Sequence, residues 1–218
     1  MEKTEAILFD LDGTLVDSNK LIIDSFKHTM SVFFPEQDWS DGSVMKMIGP
    51  SLFESFGWFT DSLEQINAMI DTYRNYYVKN EFSTITIYPH VKETLALLVQ
   101  RGYHLAVVTT KFMVSALPSL KHFDILCYFE QVVSLDEISK PKPDPEPMLY
   151  ALDKMHCQTG IMIGDHPSDI LSGKAAGLAT CGVKWSLKFE ELKLVKPDYL
   201  IDDFRQIPKI ISKINKEE

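Results

Sequence analysis

The chain has 218 residues, 45% of them apolar and 24% charged, an ordinary make-up for a globular protein. A chain this long buries about 70% of the surface it exposes when unfolded, so it needs neither disulfides nor a structural metal to fold. Its 22 basic and 31 acidic residues give a net charge of -9. That argues against nucleic acid or an anionic membrane as partner, because both are bound by neutralising phosphates with Lys and Arg.

The polar opening, Met1 to Glu5, leads into Ala6-Ile7-Leu8-Phe9, a continuous apolar run suited to a strand covered on both faces. The run stops at Asp10, far short of a secretory signal, and no later window approaches a membrane span. From about Asp17 to Asn80 the pattern is helical. Leu21-Ile22, Ser25-Phe26 and Thr29-Met30 recur at three- and four-residue spacing, as do Leu63, Ile66, Met69-Ile70 and Tyr73. Gly42, Gly49-Pro50 and Gly57 divide this stretch into several helices, with no strand among them.

After Pro89, helix and strand alternate. Helices are predicted over Val91 to Gln100 and Met113 to Leu120, then Glu146 to Met155 and Ser168 to Ala176. Strands are predicted at Tyr103 to Val108, Phe129 to Val133, Ile161 to Ile163 and Ala179 to Val183. This alternation predicts an α/β fold, a Rossmann-like, doubly wound parallel sheet joined by right-handed crossovers. The α/β domain takes residues 1–16 and 88–218, and an all-helical domain, residues 17–87, is inserted after the first strand. Cys127, Cys157 and Cys181 are widely separated, which suits reduced thiols in the cytoplasm better than disulfides or a zinc site.

In an open parallel sheet, ligands bind beyond the carboxyl ends of the strands. Strand one ends in Asp10-Leu11-Asp12-Gly13-Thr14, the second in Thr109-Thr110-Lys111, and Ile161-Met162-Ile163 in Gly164-Asp165-His166-Pro167-Ser168-Asp169. Lys140 and Lys142 sit in a proline-fixed loop, Lys140 to Pro145, that cannot be helical. Four carboxylates, a hydroxyl and a lysine therefore converge on one edge. Such a cluster is costly unless a cation neutralises it, and oxygen-only ligands favour Mg²⁺ over zinc.

The motif Asp10-Leu11-Asp12-Gly13-Thr14-Leu15-Val16-Asp17-Ser18, then Thr109, Lys142 and Gly164-Asp165-His166-Pro167-Ser168-Asp169, resembles the haloacid dehalogenase-like superfamily along essentially the whole chain. The resemblance implies that Asp10 is a nucleophile forming an aspartyl-phosphate, while Asp12 protonates the leaving oxygen and later takes a proton from water. It implies that Asp10 and Asp165 bind Mg²⁺ through side chains and Asp12 through its carbonyl, with Asp169 ordering the metal's water shell. Thr109 would hold phosphoryl oxygens, and Lys142, heading the Lys-Pro-x-Pro-x-Pro segment, would tie nucleophile to phosphate. Lys140 has the weaker case.

The helical insertion stands where the superfamily carries its C1-type cap, which closes over the site. Lys46 and Gly49 in its loop, with Thr110 and Lys111, are candidate substrate contacts. The Arg that sugar-phosphate relatives often place in that loop is replaced by Leu52 or a neighbour. His90 stands where relatives often have Gly, and His166 replaces a small polar residue; either a substrate contact or a place at the entrance suits His166. Ile48-Gly49-Pro50-Ser51-Leu52, Val107-Val108-Thr109-Thr110-Lys111 and Gly182-Val183-Lys184-Trp185-Ser186 further resemble PpaX-type inorganic pyrophosphatases. Pyrophosphate hydrolysis is therefore the expected reaction, with phosphoglycolate or another small phosphomonoester as the rival substrate. Two readings from other classes are a phosphorylated signalling receiver and a catalytically silent binding protein. A receiver is shorter, lacks a helical insertion and carries its phosphoaccepting Asp in mid-chain; the intact acidic set argues against a silent protein.

Overall fold

Ala6, Ile7, Leu8 and Phe9 are wholly shielded from solvent and form strand β1 (Ala6–Phe9). In the computed structural model, which describes residues 4–216, Met1, Glu2 and Lys3 of the polar opening lie outside the described residues. By Cα packing the chain falls into two compact units: residues up to Asp17 with those from Ile87 onward, and Ser18–Thr86.

In the first unit, β1 is followed by β2 (Val16–Asp17). The second unit holds α1 (Asn19–Phe33), α2 (Asp41–Val44), α3 (Leu52–Gly57) and α4 (Leu63–Thr84). The short strand β3 (Thr86–Ile87) pairs with β2 where the chain passes back. Next come α5 (Val91–Gln100), β4 (His104–Val108), α6 (Met113–His122), β5 (Gln131–Val133) and α7 (Glu146–Lys154). The chain finishes with β6 (Gly160–Gly164), α8 (Pro167–Ala175), β7 (Ala179–Val183), α9 (Phe189–Leu194), β8 (Tyr199–Ile201) and α10 (Ile207–Ile214).

Six strands form one sheet in the order β5-β4-β1-β6-β7-β8, with every pairing parallel. Phe9 of β1 lies opposite Val107 on one side and Ile163 on the other. Leu8, Ala106, Val133 and Met162 pack with Met148, Ala151 and Leu152 of α7 in one buried cluster. Burying each large side chain there contributes about 1.5–3 kcal/mol, and Leu8→Ala would cost roughly 2–5 kcal/mol through the cavity it leaves. Strand β8 has no counterpart in the sequence-based prediction; it extends the sheet at its edge.

The helical unit has its own core. Phe26 and Met30 of α1 meet Ile66, Met69 and Tyr73 of α4, with Trp39, Val44, Met47 and Phe56 between them. The Phe26 and Tyr73 rings are 4.8 Å apart. Ser40, Ser51 and Ser62 begin three of its helices by accepting the N–H three residues on, which satisfies a donor that has no partner inside the helix. Among the described residues no helix is long and apolar enough to cross a membrane.

Candidate active site

From β1 the chain runs outward through β4 to β5, then returns past β1 to β6 and continues outward through β7 to β8. The winding direction reverses between β1 and β6, and ligands of open parallel sheets bind beyond the carboxyl ends of the strands at such a reversal. Asp10 follows β1, and Asp165 follows β6. The topology thus brings two carboxylates 155 positions apart to one crevice.

Asp10 extends the ladder, its N–H donating to the Ile163 carbonyl at 2.9 Å. The chain then turns tightly. The N–H groups of Leu15 and Val16 both donate to the Leu11 carbonyl, at 2.9 and 3.0 Å, and Gly13 N–H donates to the Val16 carbonyl at 2.8 Å. Gly13 has φ +80°, and a Cβ there would run into the Asp165 carboxylate. Only glycine meets both conditions. Thr14 Oγ1 donates to Asp165 Oδ1 at 3.3 Å.

Lys142 closes the crevice from the other side. Its Nζ donates to Asp10 Oδ1 at 2.7 Å and to the Val108 carbonyl at 2.9 Å, and lies 2.7 Å from Asp169 Oδ1. Its side chain is 3% exposed. Asp169, in the first turn of α8, is buried, and a Cβ on Gly164 would collide with it. One oxygen each of Asp10, Asp165 and Asp169 lies within 4.8 Å of the others.

The Asp10 carboxyl is pushed up to about 7, chiefly by burial, with Lys142 opposing the rise and Asp169 adding to it. Asp165 is raised well above the carboxylate range, first by burial and then by Asp10 and Asp169. For Lys142 burial is the largest influence and disfavours its charge, but Asp10 and Asp169 outweigh it and hold the ammonium above the ordinary lysine value. One buried cation thus faces three carboxylates. Asp169 Oδ1 is taken up by its ion pair with Lys142. Excess negative charge and an all-oxygen donor set fit a hard divalent cation.

The remaining predicted residues divide into several groups. Asp12 keeps its carboxylate apart from this trio; its Oδ2 lies 3.3 Å from Lys111 Nζ, so a metal contact from Asp12 would fall to its carbonyl. Asp169 brings one oxygen within 4.8 Å of one each from Asp10 and Asp165, while its Oδ1 lies 2.7 Å from Lys142 Nζ. Thr109 is buried at the end of β4, its N–H donating to the Val133 carbonyl at 2.9 Å. Thr109 Oγ1 accepts Lys111 N–H at 3.1 Å. Thr110 is exposed, whereas the Lys111 side chain is only 15% exposed. Lys140 stays in solvent near Asp144, at 3.9 Å. Lys46 and Gly49 belong to the helical unit, Lys46 in the 3₁₀ turn Met45–Met47 and Gly49 at φ +116°.

His166 is a helix cap. Its Nδ1 accepts Ser168 N–H at 3.2 Å, while Asp169 Oδ2 accepts His166 N–H at 2.9 Å. Burial lowers its pKa. His90 holds φ +65°, which explains why glycine suits that place. Sequence reasoning quoted Trp185 and Ser186 within a resembling stretch but gave neither a place in the site. Trp185 Nε1 donates to the Gly13 carbonyl at 3.0 Å, and Ser186 Oγ donates to the Asp165 carbonyl at 2.5 Å. Both follow β7, so the strand-end rule that singled out Asp10 and Asp165 could have reached them.

Residues 7–183 match the family of haloacid dehalogenase-like hydrolases. The pyrophosphatase PpaX of Bacillus velezensis is 40% identical over 204 residues, 92% of this chain and 93% of that protein. The PpaX of Bacillus cereus is 35% identical over 217 residues, 98% and 99% of the two chains. Among solved structures, a predicted phosphoglycolate phosphatase from Haemophilus somnus superposes with TM-score 0.87 at 30% identity, covering 96% of this chain and 99% of that one. A haloacid dehalogenase-like family hydrolase from Streptococcus pneumoniae gives TM-score 0.83 at 26% identity, covering 96% and 99%. The matched stretch runs from β1 through β7 and carries the whole acidic cluster with its lysine, so the chain belongs to the haloacid dehalogenase-like hydrolases.

Proposed function

We propose that this hydrolase is a Mg²⁺-dependent phosphatase that cleaves inorganic pyrophosphate through an aspartyl-phosphate on Asp10. The observation that carries the reading is Lys142, buried and 2.7 Å from both Asp10 Oδ1 and Asp169 Oδ1, which leaves Asp10 beside a fixed positive charge at the head of the crevice. Asp10 and Asp165 would hold the metal, with Asp169 beside them and Asp12 through its carbonyl. When bound, Mg²⁺ supplies positive charge that offsets repulsion between the carboxylate and the phosphoryl oxygens.

Asp10 attacks phosphorus as the bond to the leaving phosphate breaks, and Asp12 passes its proton to the departing oxygen. Water then attacks the same phosphorus, Asp12 takes the water's proton, and the Asp10 carboxylate is released. Lys111 Nζ stands 3.3 Å from Asp12 Oδ2. Thr109 and Thr110, with Lys111, would hold phosphoryl oxygens. The helical unit would serve as the cap, with Lys46 and Gly49 recognising the leaving group. Separate, reduced thiols favour a cytoplasmic setting.

Pyrophosphate is favoured by the PpaX relatives, which are similar along nearly the whole chain. The Haemophilus somnus structure favours phosphoglycolate as the second reading. Comparing kcat/KM for the two compounds with Mg²⁺ decides between them. Pyrophosphate should be preferred; efficient cleavage of phosphoglycolate with no turnover of pyrophosphate would reverse the choice.

A further inference from the structure

We infer that Trp185 and Ser186, in the loop after β7, are positioning residues that hold the Asp10–Thr14 turn and Asp165 in one register; this rests on the phosphatase reading of the same site. Gly13 is held from two directions. Its Cα lies against the Asp165 carboxylate, and its carbonyl accepts the Trp185 indole N–H at 3.0 Å. The next residue, Ser186, donates to the Asp165 carbonyl at 2.5 Å and accepts Lys188 N–H at 2.8 Å. Two successive residues thus reach the two strand-end segments that carry Asp10 and Asp165.

The indole is itself fixed. It packs against the tilted ring of Tyr88 at 5.1 Å and stacks on Phe204 at 5.6 Å, and Phe204 stacks on Phe9 at 6.3 Å. Phe9 immediately precedes Asp10. A ring packed against two aromatic neighbours keeps its N–H direction, and a catalytic turn displaced by an ångström loses rate steeply. Neither residue touches the acidic trio's side chains in the contacts described, so each acts through Gly13 or Asp165.

Trp185→Phe keeps a ring against Tyr88 and Phe204 but removes the N–H. Ser186→Ala removes the hydroxyl, and Ser186→Thr keeps it. Hydrogen exchange of the metal-free full chain should show the amides of residues 11–16 exchanging about tenfold faster in Trp185→Phe, the factor one lost hydrogen bond gives. With Mg²⁺ and pyrophosphate, kcat should fall about tenfold while KM stays within about twofold. Mn²⁺ binding followed by electron paramagnetic resonance should weaken about tenfold in Ser186→Ala and recover in Ser186→Thr. Unchanged exchange and unchanged kcat in Trp185→Phe overturn the inference, as does unaltered Mn²⁺ binding in a folded Ser186→Ala. Should Ser186→Ala fail to fold, Trp185→Phe alone decides. If the unaltered chain hydrolyses no phosphate compound, the phosphatase reading fails, and the exchange measurement still decides the positioning role.

Discussion

Replacing Lys142 with Met keeps the volume of a side chain that is 3% exposed but removes the only ammonium in contact with Asp10 and Asp169 among the described residues. Deleting one partner of a buried ion pair costs about 3–5 kcal/mol, because the other charge remains buried. The Val108 carbonyl also loses the donor it holds at 2.9 Å. For a chain of 218 residues the loss corresponds to a fall in Tm on the order of 10 °C.

Protonation limits that loss. Asp10 already titrates at about 7 with the lysine present, and each pH unit of protonation is worth about 1.4 kcal/mol. A carboxyl whose folded pKa exceeds its unfolded value contributes its full stability below the unfolded pKa, and that stability is lost as pH rises through the folded pKa. Without the lysine these folded values climb further. The deficit should therefore be small near pH 5 and largest near pH 8. Urea unfolding followed by circular dichroism, without divalent cations, reads both values. A deficit below about 1 kcal/mol, or one equal at the two pH values, refutes the electrostatic picture of the crevice.

Asp10→Asn should lower kcat by at least about a thousandfold, while urea unfolding at pH 8 shows a fold no less stable than before, since a carboxyl raised to about 7 is lost. Saturating Mg²⁺ should stabilise the chain by about 2.7 kcal/mol at one hundred times its dissociation constant; calorimetry should show that gain vanish in the Asp10→Asn/Asp165→Asn double variant. His90→Gly should stabilise the α/β unit by about 1 kcal/mol, because a residue at φ +65° carries left-handed strain that glycine lacks. Urea midpoints check that difference, and a loss of stability would contradict it.

Strands β1 and β6 were legible because both faces are covered, so Ala6-Ile7-Leu8-Phe9 and Ile161-Met162-Ile163 read as unbroken apolar runs. Asp10 and Asp165 were legible for a related reason: a carboxylate directly after such a strand must emerge at the sheet's ligand-binding edge. Strand β8 escaped because Tyr199-Leu200-Ile201 is only three residues at that sheet's border, too short for a period. It is held partly by tertiary contacts, the Thr180 N–H and hydroxyl donating to Asp198 Oδ2 at 2.9 and 2.7 Å. His166 escaped as a cap because histidine is not among the usual capping residues. The bond from Trp185 to Gly13 spans 172 positions, and no local pattern announces a contact of that range. Lys142 joined the two cases: the Lys-Pro-x-Pro-x-Pro segment it heads singled it out over Lys140, while its contacts with Asp10, Val108 and Asp169 needed the fold.

The central claim is that Asp10 carries the phosphoryl group between the two half-reactions. Acyl phosphates are reduced by borohydride, so turnover quenched in acid and treated with borohydride should convert residue 10, and no other aspartate, to homoserine, as mass spectrometry of the digested chain would show. Active enzyme that yields no reduced residue, or one reduced at Asp12, Asp165 or Asp169 instead, contradicts the account.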